Sequence, residues 1–499
     1  MTLKRLTKFV TADTLHLAGV PSASIAILED GKLSATVITN GTENAETLYQ
    51  ACSISKAITS LAVARLVDDG HLSYDTRVIQ QIPRDVIAGM LEPSTAHLMD
   101  YVTVRMLLSH TSGLSQHGFP GYNGETPPVA DVLSGDPPSN TPKVRFDSFP
   151  GAQFSYSGGG FTVLQVFLEQ VMQRPFKDVM YETVFKSLNM TRSSYGGLRA
   201  DEVNYAKAHL TASVQASVEY NHFTELAAAG LWTTPTDLLK AMSAVQESLL
   251  SDSGFLKPAT AKVMLTQIPQ DSGLTTMALG WGSDASVFGH SGDNEPGYQC
   301  YAFGAHGGIA NADLGNEGTR ESSRLPLRNG LAVMTNSVEG LKQVKKIVGA
   351  VFFLKQWPRF KSLVCQFGKT DFVPYGIQGG TGDEWRKWAG RWEGGWSLVE
   401  RHDVEPALAF RDFPPQSLVP AAIPLDAGEH MFVADGLNVA STSTFLVASQ
   451  TDHTNILLSP SAPTTHHNMS RGGTTLYVTG FGHGTRARDL AYEFERYVM

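Results

Sequence analysis

The sequence predicts an α+β chain: antiparallel strand pairs, a helical block between them, and a second, all-β unit at the end. Three observations lead there. An alternating apolar hairpin stands near the start, helical periodicity runs from about residue 54 to 248, and strand patterning returns between 279 and 336. Beyond about residue 386 come short apolar runs separated by turns, the pattern of a small antiparallel barrel. With 499 residues, 42% of them hydrophobic and 17% charged, the chain can bury one large core and still supply a second domain.

In order, residues 3–18 read as one helix that Val20-Pro21 closes. Residues 23–28 and 33–38 alternate around Asp30-Gly31, a hairpin turn. The run from Gln50 to Leu66 reads as a helix, stopped by Asp69-Gly70. Residues 104–114 predict a short helix ending in a glycine turn, with His110 holding the loop by hydrogen bonds. From Ser115 to Pro150 the chain is rich in Pro, Gly, Asn and Asp, and a loop of that length in an enzyme usually lines or covers a site. Helices are expected at 161–171, 176–188 and 235–248, the last started by Thr234-Pro235. Trp232, just before it, is placed to floor a pocket or to pack in the core. Strands follow at 287–293, 299–303 and 330–336, interrupted by a polar insertion over 305–324, and a helix at 341–354 closes the first domain. Residues 1–357 therefore form one domain, 358–385 a linker, and 386–499 the barrel.

Charge and cysteine content remove whole classes of function. A formal charge of -9 gives no basic field, so neither nucleic acid nor an anionic membrane surface is an expected partner. Cys52, Cys300 and Cys365 have no paired spacing, which suggests neither a disulfide framework nor a zinc site. His466-His467 lack a third ligand at useful spacing, so no metal or cofactor is expected. Free thiols, no signal-length apolar core in residues 1–10 and no run long enough to span a bilayer make a cytoplasmic location the expectation.

Chemistry is suggested first by Ser53-x-x-Lys56. At i and i+3 of a helix the two side chains share a face. An amine that burial keeps neutral can take the proton of a serine hydroxyl, and the free N–H groups of the helix start favour negative charge near Ser53. Two fixed residues in four arise often by chance, so the weight lies on what accompanies them. Tyr156 sits on a glycine-bordered turn from which a phenol can project into a cleft, and His290-Ser291-Gly292 lies on a strand.

In this order, Ser53-x-x-Lys56, His110-Thr111-Ser112-Gly113-Leu114, Tyr156-Ser157-Gly158 and His290-Ser291-Gly292 resemble the penicillin-recognising serine hydrolases. Within them the chain resembles the class C β-lactamase-like branch, which holds esterases, D-aminopeptidases, D,D-peptidases, acyltransferases and peptide cyclases. Some members of the superfamily are non-catalytic sensors or scaffolds, but those usually lose at least one of the three residues that stand here as Ser53, Lys56 and Tyr156. The resemblance covers about residues 5–355. It implies an antiparallel sheet with helices on both faces, a helical subdomain, and a cleft between them. It further implies an acyl-Ser53 intermediate, with Lys56 and Tyr156 moving protons and the N–H groups of Ser53 and Asp293 forming the oxyanion hole. His290 would orient Tyr156 or a substrate carboxylate, and Ser291, Gly292 and Trp232 would contact a small-molecule or short-peptide amide or ester. Two departures bear on substrate: Gly158 replaces an asparagine and His290 a lysine. Trp388, Gly390 and Trp392 with Leu418-Val419-Pro420 resemble a lipocalin-like domain found after many such hydrolases.

Overall fold

The computed structural model describes residues 2–357, apart from 271–272, 275–276, 285, 311–325 and 356, together with nine short strands between 390 and 480. The frame of the first part is a six-stranded antiparallel sheet. Its strands are β1 (Ser22–Glu29), β2 (Lys32–Thr39), β3 (Gly282–Ser283), β4 (Val287–Asn294), β5 (Tyr298–Ala305) and β6 (Gly330–Thr335). They run in the order β2-β1-β6-β5-β4-β3, so β1 pairs both with its hairpin partner and with β6, Ala23 facing Thr335. The alternation read from the sequence decides which residues face each side. Ile25 and Ile27 enter one core and Ala26 and Leu28 the other, because successive side chains point to opposite faces.

Helices cover both faces. On the Ile25 side lie α1 (Thr2–Phe9), α2 (Ala12–Leu17) and the long C-terminal helix of this part, Gly340–Lys355, whose Val344, Ile347 and Val351 pack with Leu6, Leu15 and Phe303. The single helix expected over 3–18 is thus two. Thr11 breaks it, since its hydroxyl accepts from Thr14 N–H while the Thr14 hydroxyl accepts from Thr11 N–H, a reciprocal cap that starts a new helix.

On the other face the large core is built around α3 (Ile54–Asp68). Every residue from Ile54 to Ala64 is buried, so the first three turns of α3 run through the middle of the protein with no solvent face. Around it stand α4 (Val104–Leu108), α5 (Gly158–Met172) and α6 (Pro235–Ser248). Helix α6 has the expected bounds because Thr234 accepts from Asp237 N–H and Pro235 begins the first turn. Only Phe176–Met180 of the expected 176–188 helix is α; Tyr181–Phe185 winds more widely as a π turn. The irregular 115–150 stretch holds one helix, Val129–Ser134.

The nine strands between 390 and 480 pair in one sheet, antiparallel except where Leu457–Leu458 meets Thr474–Gly480. The 358–385 linker, closure of these strands into a barrel and the lipocalin-like domain fall outside the described residues, as does most of the 305–324 insertion. Among the described residues no helix is long and apolar enough to cross a membrane.

Candidate active site

The helix expected from Gln50 starts only at Ile54, because Gln50 is paired with Trp232 in a strand ladder. Ser53 sits at the cap position of α3, one residue before the helix starts, with φ -67 and ψ -9. The residue before it, Cys52, has φ +52, a left-handed backbone that costs a residue with a Cβ roughly 1–2 kcal/mol. What holds that turn is on both sides. Ala51 N–H donates to Leu231 O at 2.8 Å, and the Cys300 thiol donates to Ala51 O at 3.0 Å. The preceding pair Tyr49–Gln50 forms a two-residue ladder with Trp232–Thr233.

Lys56 lies one turn into α3, 2% exposed, with Nζ 3.1 Å from Ser53 Oγ. The same amine donates to Ala228 O at 2.7 Å, which fixes the side chain against the nucleophile. Its Nζ is 5.0 Å from the centre of the Tyr156 ring and 5.9 Å from that of Phe161. The Ser53 hydroxyl, the Lys56 amine and the Tyr156 ring therefore lie close together, brought from two segments far apart in the chain.

Tyr156 is held by what crosses the start of α5. Ser157 caps that helix, accepting from Gly160 N–H at 2.7 Å and donating to Ser115 O at 2.9 Å. A Cβ on Gly158 would lie 2.8 Å from Phe119 and 2.9 Å from the His117 carbonyl oxygen. The place a side-chain amide would take is thus filled by the 115–150 stretch, which does line the crevice. The His117 ring lies 4.8 Å from that of Tyr156.

His290, on β4, has its ring 6.1 Å from that of Tyr156. Its Nδ1 lies 2.5 Å from the Ser291 carbonyl oxygen, and a carbonyl only accepts, so the ring proton sits on Nδ1. Burial, then the nearby Lys56 charge, pushes its pKa down to about 4. The ring is therefore neutral near pH 7, with Nε2 as a lone pair that meets no hydrogen-bond partner among the described residues. A ring in this state carries no charge, and its one N–H is already engaged by the Ser291 carbonyl.

Gly292 packs against the nucleophile turn: a Cβ there would lie 2.5 Å from Cys52 Cβ, 2.8 Å from Cys300 Sγ and 2.8 Å from Ser53 N. The missing side chain lets β4 touch the nucleophile turn itself. By strand alternation Asn294 shares this face, donating to Gln50 Oε1 at 2.9 Å and to Ala229 O at 3.2 Å. Ser291 and Asp293 point to the other side, and the Asp293 side chain is exposed. Only their backbone belongs to the crevice. Trp232 is buried and lines a cavity of about 330 Å³ with Thr126, Gln165, Asn221 and Thr224; neither Ser53, Lys56 nor Tyr156 lines it.

Sequence reasoning missed Gln50, Asn294 and the Ala228 carbonyl. Asn294 was findable, two and four residues from Gly292 and His290 on the same strand face. The Ala228 carbonyl carried no signal, since any residue supplies one. Among the described residues no group of three or more His, Cys, Asp or Glu could hold a metal.

Comparison with known proteins now decides the family. Residues 11–351 match the family described as Beta-lactamase. The chain belongs to the beta-lactamase family. It shares that family's α+β fold, and the family is one of serine hydrolases. Among curated relatives, it is 29% identical over 197 residues to Penicillin-binding protein 4 of Amycolatopsis lactamdurans, covering 38% of this chain and 49% of that one. Protein flp of Staphylococcus aureus (strain NCTC 8325 / PS 47) is 24% identical over 236 residues, 44% of this chain and 43% of the relative. The chain spans about half the length of the curated relatives it matches or less. Two solved structures share the fold. The octameric penicillin-binding protein homologue from Pyrococcus abyssi aligns with TM-score 0.54 and 19% identity over 91% of this chain and 97% of its own. D-amino acid amidase from Ochrobactrum anthropi SV3, complexed with L-phenylalanine, aligns with TM-score 0.54 and 18% identity over 71% and 99%.

Proposed function

We propose that this beta-lactamase-family member is an acyl-transfer serine hydrolase of the class C-like type, cleaving a small amide or ester through an acyl-Ser53 intermediate. The observation that carries this reading is the buried Lys56 Nζ, 3.1 Å from Ser53 Oγ and close over the Tyr156 ring. Ser53 Oγ attacks the carbonyl carbon while Lys56 takes its proton. Tyr156 passes a proton to the leaving group as the C–N or C–O bond breaks. The N–H groups of Ser53 and Asp293 hold the oxyanion, each such donor contributing about 3 kcal/mol of barrier lowering.

The substrate class follows from what the crevice lacks. A neutral His290 and a filled Gly158 position supply neither a cation for a carboxylate nor a side-chain amide for a lactam side chain. Neutral amides and esters are favoured over β-lactams, and the fold-level likeness to the Ochrobactrum D-amino acid amidase supports D-amino-acid amides among them.

A second reading, transfer to an amine or alcohol, has one observation in its favour. Lys56, Tyr156 and His290 are 2%, 5% and 1% exposed, so the proton-moving groups are shielded from bulk water while Ser53 itself stays partly exposed to an incoming acceptor. Incubation with an acyl donor, with and without amines, separates the two by the mass of the products. The shared first step is tested by fluorophosphonate labelling with peptide mapping. Label is expected on Ser53, and Ser53→Ala is expected to abolish turnover with the fold intact. Label elsewhere, or full activity in that variant, removes the proposal.

A further inference from the structure

We infer that His110 is the positioning residue that fixes the Tyr156 phenol for proton transfer, by stacking on its ring while binding the chain on both sides of it. The inference rests on the acyl-Ser53 reading above, and three contacts carry it. The imidazole stacks on the Tyr156 ring at 4.3 Å between centroids and 28° between planes. Its Nδ1 accepts the Ser157 N–H at 3.0 Å. Its carbonyl oxygen accepts the Ser155 N–H at 2.8 Å. One residue therefore holds the phenol-bearing residue and both of its neighbours.

The backbone is bent to do so. His110 has φ +57, an uphill conformation for a residue with a Cβ, and structure that retains such strain usually gains from it. The ring is fully buried, with Phe154 edge-on at 5.9 Å and Phe161 at 5.2 Å, which leaves it no other orientation. Because Nδ1 accepts, the ring proton is on Nε2, and that atom meets no hydrogen-bond partner among the described residues. Burial, followed by the Lys56 charge, holds the pKa well below the usual histidine range, so a neutral ring lies against the phenol and adds no charge beside Lys56. Imidazole suits the place because it stacks and accepts at once. Phenylalanine can only stack, and asparagine can only accept.

That division gives the test. Full-length His110→Phe and His110→Asn are compared with wild type on phenyl acetate and 4-nitrophenyl acetate, which share an acyl group and differ in how much the leaving oxygen needs a proton. Rates are taken as kcat/KM per site labelled by fluorophosphonate at Ser53, so misfolded molecules drop out of the comparison. Both variants are expected to lose about tenfold more on phenyl acetate than on 4-nitrophenyl acetate, within the range a general acid supplies. Tyr156→Phe should show the same bias. A wild-type ratio between the two esters in variants that still label overturns the role of His110 and leaves the acyl-serine reading standing. Failure of wild type to label at Ser53 overturns that reading itself.

Discussion

Glu225 shows how much one buried group can set. It lies fully buried with neither carboxylate oxygen meeting a hydrogen-bond partner among the described residues. Burial, partly offset by nearby backbone N–H groups and the Tyr122 hydroxyl, raises its pKa from 4.5 to about 7. The folded state thus binds this proton more tightly than the unfolded one. The associated stability is complete below pH 4.5 and is lost as pH rises through 7, about 3 kcal/mol in all as an order of magnitude. His290 acts with the opposite sign: its pKa falls from 6.5 to about 4, so its stability is lost as pH drops through that interval. Above 6.5 only the Glu225 contribution of the two still changes. Thermal melting is therefore expected to fall between pH 6.5 and just above 7, and Glu225→Gln should abolish that decline. A wild-type slope in the variant would remove Glu225 as its source. Glu225 also accepts the N–H groups of Ala228 and Ala229 through its carbonyl, at 3.1 and 2.9 Å, the Ala229 N–H belonging to the same peptide as the oxygen that holds Lys56.

Among the elements, the contact between β4 and the turn before α3 matters most. Gly292→Ala forces a Cβ to within 2.5 Å of Cys52 Cβ and 2.8 Å of Ser53 N, so strand and turn must part. Fluorophosphonate labelling of Ser53 is expected to slow by roughly a hundredfold while the far-ultraviolet circular dichroism is kept, in line with what one displaced oxyanion donor costs. Labelling at the wild-type rate would show that the contact is slack. Much of this level was legible beforehand. The caps at Thr234 and Asp69-Gly70 and the Asp30-Gly31 hairpin are set by neighbours within a few residues, and each stands in the structure at its expected place, whereas the start of α3 is moved from Gln50 to Ile54 by the distant strand partner of Gln50. What escaped reading depends on distant partners. Thr11 splits the first helix through a cap involving two threonines, which the apolar pattern does not register. The His110 clamp needs residues 110 and 155–157 to meet, and nothing local announces it. Gly292 stands out in the sequence as a glycine within a strand, but only packing reveals that the protein's own turn lies against it.

At the scale of the whole molecule, both faces of the sheet are covered within residues 2–357: one core is built around α3, the other around the first two helices and Gly340–Lys355. A chain ending at residue 357 is accordingly expected to melt cooperatively and to label at Ser53. One ending at 328 lacks β6 and the helix after it and is expected to do neither. Calorimetry and labelling of the two truncations check this, and a folded shorter chain would refute the weight given to β6. The same pairing governs the order of events at the ribosome. Ala23 cannot meet Thr335 until the intervening chain has been made, roughly 15 to 60 s at ~5–20 residues per second. For that time Ile25 and Ile27 stand on a strand with one open edge, a sticky intermediate that invites chaperone capture. The production yield of this protein is therefore expected to depend on translation speed and holdase supply more than on the final stability of the fold.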